Sequence, residues 1–242
     1  MERDDASNFE QLHDLVADMD DIRGLLEGIT GIAAAAMTRT AGTQVECAVT
    51  LYRRRRPPTI AGSDDEAILL DGHEQRLADG PCTDALESGE PALLDAPSDA
   101  RWPAFRKELE ATSFDSVLGV PLDLGSEASA ALNFFAAGAG VFTGEVSKDA
   151  GEFAQVAARA LRLGLRIAGA ELKAVDLEAA MSHRTAIDMA RGIIMAQSRC
   201  SGEEAFNLLR EVSSRRNEKL YDVARSVVAG IDGSATSTFF ES

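Results

Sequence analysis

Cations are scarce in this chain: 24 Lys and Arg stand against 40 Asp and Glu in 242 residues, a formal net charge of -16 at pH 7. Such an excess argues against a protein that coats nucleic acid over its whole surface, because a polyanion would be repelled. Cysteine is scarcer still. Cys47, Cys82 and Cys200 are scattered, odd in number and form no C-x-x-C pair, so neither a disulfide framework nor a zinc site is suggested. That usage fits reduced thiols and a cytoplasmic setting. No apolar run reaches ~18 residues free of charge, which argues against a membrane span. The opening "MERDDASNFEQLHD" is acidic and has no apolar stretch, so it does not read as a secretory signal. Also missing are a G-x-x-x-x-G-K-[ST] loop, a Ser/His/Asp set and carboxylates paired at motif spacing. His183 in "MSHRTAI" suggests a kinase phosphoacceptor, but only 59 residues follow it, too few for an ATP-binding catalytic domain. Nothing here reads as an enzyme, and no cofactor or metal site is evident.

What is present is enough apolar material for a sizeable core, 45% of residues, in a length that suits one large domain or two small ones. The charge is uneven. Between Glu171 and Asp232 there are 9 Lys and Arg against 10 Asp and Glu, leaving 15 against 30 in the remainder. A near-neutral C-terminal segment behind a strongly acidic body favours two domains with different partners.

Phe9, Leu12, Val16, Met19, Leu26, Ile29 and Ala33 recur at helical spacing, which predicts one amphipathic helix to about Met37. Val45, Cys47, Val49 and Leu51 alternate with Glu46, Ala48 and Thr50, as in a half-buried strand. "YRRRRPP", Tyr52 to Pro58, ends it. Four arginines invite a nucleic-acid reading, but a short charge run before two prolines fits a solvated hairpin connection better. "TIAGS" reads as a short strand, "DEAILLDGHEQRLADG" as a helix closed by Gly80, and "TDALESG" as helical turns ended by Gly89. "PALLDA" is a strand candidate and "RWPAFRKELEATS" a helix. "SVLGVPL" and "ASAALNFFAA" resemble an antiparallel hairpin. The order predicts an α+β sheet domain framed by its terminal helices.

From Glu145 to about Arg199 the pattern is helical. Leu161, Leu165, Ala168, Leu172, Val175, Ala179, Ser182, Ala186, Met189 and Ile193 step by four and three, as in a coiled-coil seam. A second stripe runs through Leu163, Ile167, Ala170, Ala174, Leu177 and Met181. Two apolar stripes imply cover on two sides, hence a parallel homodimer with the N-terminal helices packed against it. Ser201 and Glu204 form an S-x-x-E capping box that starts a second helix, and "LYDVARSVVAG" supplies a third, ended by Gly230.

The run "HRTAIDMARGIIMAQSRCSGEEAFNLLREVSSRRNEKLYDVARSVV" resembles an ANTAR domain, the three-helix RNA-binding output module of bacterial antiterminators. It carries R-x-x-I-x-x-A-[KR]-G-[IL]-[IL]-M, then S-x-x-E-A-F-x-x-L-R, then N-x-K-L-x-x-V-A, in order. The preceding part resembles a GAF domain through "GPCTDAL", "RWPAF", "SVLGVPL", "ALNFF" and "VFTGE" in sequence. The resemblance implies an α+β GAF-like sensory domain over residues 9–165, with an antiparallel sheet and flanking helices. A coiled-coil-like helix would lead into a three-helix ANTAR bundle over 166–231. The chain ends at 1–8 and 232–242 read separately as disordered tails. The resemblance also implies a transcription antitermination regulator whose dimer binds paired hairpins in nascent RNA. The N-K-F-D-E signature of cyclic-nucleotide-binding GAF domains does not occur, and Cys82 in "GPCTDAL" does not suggest a bilin attachment. A small-molecule ligand of the GAF domain is left unidentified.

Arg184, Asp188 and Arg191 share one helical face. The family reading puts Arg184 and Arg191 on RNA, whereas the plainer one ties both to Asp188 in surface ion pairs. "SSRRNEK" offers Arg215, Arg216, Asn217 and Lys219 to RNA or simply to solvent, and Tyr221 to base stacking or a partly buried place in the bundle. Phe206 reads as core. Gly192 reads as a point of close helix packing, so Gly192→Leu is expected to disrupt the unit. An alternative keeps the architecture but makes the C-terminal unit a DNA-binding helix-turn-helix. A third possibility is a small-molecule sensor acting through protein contacts alone.

Overall fold

A computed structural model describes the backbone of residues 2–95 and 100–235. Helix α1, Glu2–Ala17, takes in residues expected from the sequence to form a tail, and α2, Ile22–Ala41, follows. The single helix expected from Phe9 to Met37 is therefore two. The break falls in the acidic run after Ala17, where Asp21 leaves the helical conformation and its carboxylate accepts from the Gly24 amide at 2.8 Å, starting α2 afresh.

Five strands follow: β1 Val45–Arg53, β2 Thr59–Gly62, β3 Ala92–Leu94, β4 Ser116–Leu122 and β5 Ala128–Ala136. They form one antiparallel sheet in the order β2-β1-β5-β4-β3. Val49 of β1 pairs with Leu132 of β5, and Leu132 with Val120 of β4, so the alternation of each strand puts its apolar residues in phase across the sheet. One face buries Cys47, Val49, Leu51, Leu118, Val120, Leu132 and Phe134 against α1, α2 and the start of α6, Gly144–Ser198.

The opposite face is covered by α3 Asp65–Leu77, α4 Pro81–Ser88 and α5 Pro103–Leu109, which enclose Leu70, Trp102, Phe105, Phe114 and Phe135. The half-buried reading of β1 is thus corrected. Ala48 and Thr50 are as buried as Val49, because small side chains there let α3 close onto the strand. Helix α3 ends at Leu77 with Ala78 in the left-handed region; Gly80 does not cap it but precedes α4. Gly119 of β4 lies under that junction. A Cβ on it would sit 2.7 Å from the Pro81 carbonyl oxygen, so only glycine admits this approach.

The chain divides into two compact units, Met1–Ala168 and Gly169–Ser242, and α6 contributes residues to both. In the second unit, α6 is followed by α7 Gly202–Arg216 and α8 Leu220–Ala235. Ala190, Leu209, Val223 and Ala224 are fully enclosed there, with Ile187, Ile194, Val212, Leu220, Val227 and Val228 packed around them. Helix α8 continues through Gly230, which does not end it. The disordered tail expected over 232–242 falls partly on this helix; residues 236–242 lie outside the described residues.

Candidate nucleic-acid interface

The C-terminal unit builds its surface from three short packing events. The capping box forms as spaced: Ser201 Oγ accepts from the Glu204 amide at 3.3 Å, and Glu204 Oε2 accepts from the Ser201 amide at 2.8 Å. The Ser201 amide, and then its hydroxyl at 2.8 Å, donate to the Glu204 carboxylate and hold it below the usual range. At the other end of α7, Asn217 takes the left-handed conformation (φ 52°) and its amide closes onto Ser213 and Ser214. Asparagine tolerates that conformation, so Asn217 has a capping role in addition to its exposed side chain. Ser213 Oγ donates to the Glu218 carbonyl at 2.6 Å, fixing the turn that carries Lys219.

Tyr221, in the first turn of α8, is half-buried and packs on His183 of α6, with ring centroids 3.9 Å apart. That stacking brings the first turn of α8, just after the 217–219 turn, to the His183–Arg184 turn of α6. Arg184 is highly exposed, and its guanidinium lies 3.7 Å from Asp188. Arg191 shares Asp188 at 3.9 Å but is half as exposed. Its guanidinium rests on Gly202, where a Cβ would meet Nη2 at 2.9 Å. The two arginines are seven residues apart, ~10 Å along the axis. The His183–Tyr221 stack sets Tyr221 beside the turn of α6 that carries Arg184, while Arg191 lies at the α7 N-terminus. Arg215 reaches back to Glu211 at 3.7 Å; Arg216 and Lys219 have no ion-pair partner among the described residues.

Two points depart from the sequence reading. Gly192 is exposed and nothing lies within 4 Å of a Cβ placed on it, so it is not a helix-packing contact. The close approach lies instead at Gly202, under Arg191. Phe206 is only half-buried and lies outside the enclosed cluster. His183, which the sequence suggests only as a phosphoacceptor, is exposed and stacked on Tyr221, and Arg225 lies 5.7 Å from the same ring. The Tyr221–Arg225 spacing of four residues is the sequence signal for that second interaction.

In the N-terminal unit, the sheet face under α3 carries a buried polar cluster. Asp71 is fully enclosed and accepts from the Thr50 hydroxyl and the Asn133 amide. Burial pushes its carboxyl up to about 6 despite those bonds. Glu74, one turn on, accepts from the Cys82 and Thr83 amides at 2.6 and 3.1 Å. Burial first, and then the Asp71 carboxylate, push it well above the usual range. Glu74 Oε2 and Asn133 Oδ1 have no partner among the described residues. Gln75 Nε2 donates to the Cys82 sulfur at 3.3 Å, and Gln75 Oε1 accepts from the Tyr52 hydroxyl. Burial likewise raises the Cys82 thiol, so it is an unreactive core group. No grouping of three or more metal-ligating side chains occurs among the described residues. No described helix is long and apolar enough to cross a membrane.

Comparison with known proteins adds the following. A family model described as GAF domain matches residues 25–162, and one described as ANTAR domain matches residues 175–228. No curated protein matches the chain in sequence. Among solved structures, it is similar to an N-acylhomoserine-lactone-dependent LuxR-family transcription factor of Burkholderia cenocepacia. Identity is 16% over 66% of this chain and 96% of the other, with a TM-score of 0.48. It is also similar to the GAF domain of a phosphoenolpyruvate-protein phosphotransferase from Coxiella burnetii, with 17% identity over 72% and 98% and a TM-score of 0.46. A free methionine-R-sulfoxide reductase from Neisseria meningitidis gives 14% over 67% and 91%, with a TM-score of 0.45. Likenesses of this strength carry nothing about what this chain binds.

Proposed function

Because the chain belongs to the GAF domain family and carries a C-terminal ANTAR domain, we propose that it is a signal-responsive antitermination regulator whose dimer binds paired hairpins in nascent RNA. An ANTAR domain makes it an RNA-binding antitermination regulator and the GAF domain its sensory module. Arg184, Lys219, Arg216 and Arg215 hold phosphates beside splayed loop bases, Asn217 presents its amide to a base edge, and Arg191 braces the α7 N-terminus while offering its free donors. Tyr221 keeps one face on His183, so base stacking at this end falls to its remaining edge or to the exposed His183 ring.

The observation that carries the reading is the ANTAR match over three helices whose exposed cations cluster at the α7–α8 turn. Dimerisation is supported by α6. Every residue from 170 to 185 is exposed, yet Leu172, Val175, Leu177 and Met181 lie among them, 47–63% exposed. A second copy of this helix is the simplest cover. A signal at the GAF domain then alters the register or population of that pairing, and so the spacing of the two RNA-binding units. Recovery of RNA crosslinked to the protein in cells tests this. Pairs of hairpins beside terminators are expected. Recovery of duplex DNA sites instead would favour the helix-turn-helix reading and overturn this one.

A further inference from the structure

The strand β1 runs out at Arg53, and the turn to β2 at Thr59 consists of Arg54, Arg55, Arg56, Pro57 and Pro58. Arg53 is part of the fold: its Nη2 donates to Thr59 Oγ1 at 2.9 Å and its Nε is enclosed. The next three arginines differ. All are exposed, and none makes an ion pair or side-chain hydrogen bond among the described residues. Carboxylates outnumber cations 40 to 24 in this chain, so the lack of partners is not for want of anions. Arg55 also adopts the left-handed conformation, φ 59°, which glycine or asparagine adopts with less strain. The turn thus keeps a guanidinium at a backbone cost, next to two others, on a tip that Pro57 and Pro58 stiffen.

We propose that Arg54–Arg56 form a second RNA-binding site, which holds backbone phosphates of the same transcript that the ANTAR unit binds; the proposal rests on the antitermination reading. Arginine matches phosphate with two parallel donors, and three of them side by side suit successive phosphates on a strand. The turn offers no large apolar side chain to enter a lipid surface or fill a pocket on a protein. Phosphate binding carries no sequence information, so the site adds affinity and orientation while the hairpin loops supply specificity.

The test titrates the full chain with a synthetic RNA of two stem-loops joined by a single-stranded spacer, over a range of salt concentrations. Arg54→Gln/Arg55→Gln/Arg56→Gln should lower the magnitude of the slope of log K against log salt by about 2, roughly 0.7 for each phosphate no longer neutralised. The same three positions changed to Lys should restore most of it. Arg23→Gln/Lys107→Gln/Lys148→Gln removes equal charge elsewhere on the same unit and should leave the slope near wild type. An equal drop in both Gln variants, or no drop in the hairpin variant, overturns the proposal while leaving the antitermination reading standing. So does an unchanged RNA slope accompanied by loss of binding to anionic vesicles. A wild-type chain that binds no stem-loop RNA overturns both.

Discussion

Gly192 sits exposed within α6, next to Arg191. A mid-helix glycine beside the basic position of a motif looks like a site of close approach, yet a Cβ there meets nothing within 4 Å. Gly192→Ala should therefore stabilise the C-terminal unit by ~0.5–1 kcal/mol through helix propensity alone, seen as a higher unfolding midpoint; a loss of stability would mean that the glycine does meet a neighbour. Arg191→Ala should leave the unit folded and weaken hairpin RNA binding ~10-fold, the order of one charged hydrogen bond, and Arg184→Ala likewise. Unchanged affinity in both would remove them from the interface. Asp71 bears on pH. Its carboxyl stands at about 6 in the fold, above its unfolded value, so the fold holds the proton more tightly than the open chain does. Stability from this group is thus fully present below about pH 4 and falls as pH rises through about 6, by on the order of 3 kcal/mol. Asp71→Asn should flatten that part of the stability profile relative to wild type between pH 4 and 7; an unaltered slope would mean that the carboxyl titrates normally. The burial of Asp71 is not legible in the sequence. Asp71 and Glu74 look like the polar side of a helix until Ala48 and Thr50 are seen to let α3 close onto the sheet.

At the scale of elements, the sequence is informative wherever the signal is local. The β4–β5 hairpin, the capping box at Ser201 and the long helix to Ser198 are all spelled out by alternation, spacing or a paired cap. The departures fall at junctions decided by one side chain or by packing. The Asp21 cap divides a helix whose periodicity runs on, and Ala78 takes a left-handed turn where the pattern points to glycine. The candidate site divides the same way. Its basic residues follow from the motif, but the His183–Tyr221 stack and the Arg191–Gly202 approach arise only when three helices meet. Helix α6 carries the strongest prediction at this scale. Val175→Lys/Leu177→Lys should lower dimer population in sedimentation while preserving helix content, because both side chains are 62% exposed in the single chain. Retention of a full dimer would place the interface elsewhere.

For the whole molecule, the charge distribution and the two units point the same way. An acidic sensory unit and a near-neutral helical unit suit a regulator that engages RNA locally, through the proposed contacts at the α7–α8 turn, Arg184, Arg191 and the Arg54–Arg56 turn, and not over its whole surface. The central claim is that these cations, displayed on an ANTAR bundle, recognise hairpin RNA. The most direct measurement is equilibrium binding of the full chain at physiological salt to a two-hairpin leader RNA and to duplex DNA of the same sequence. The account predicts salt-sensitive binding to the RNA that Arg184→Ala/Arg191→Ala weakens, and little binding to the duplex. Tight binding to the duplex, with none to the RNA, would contradict it.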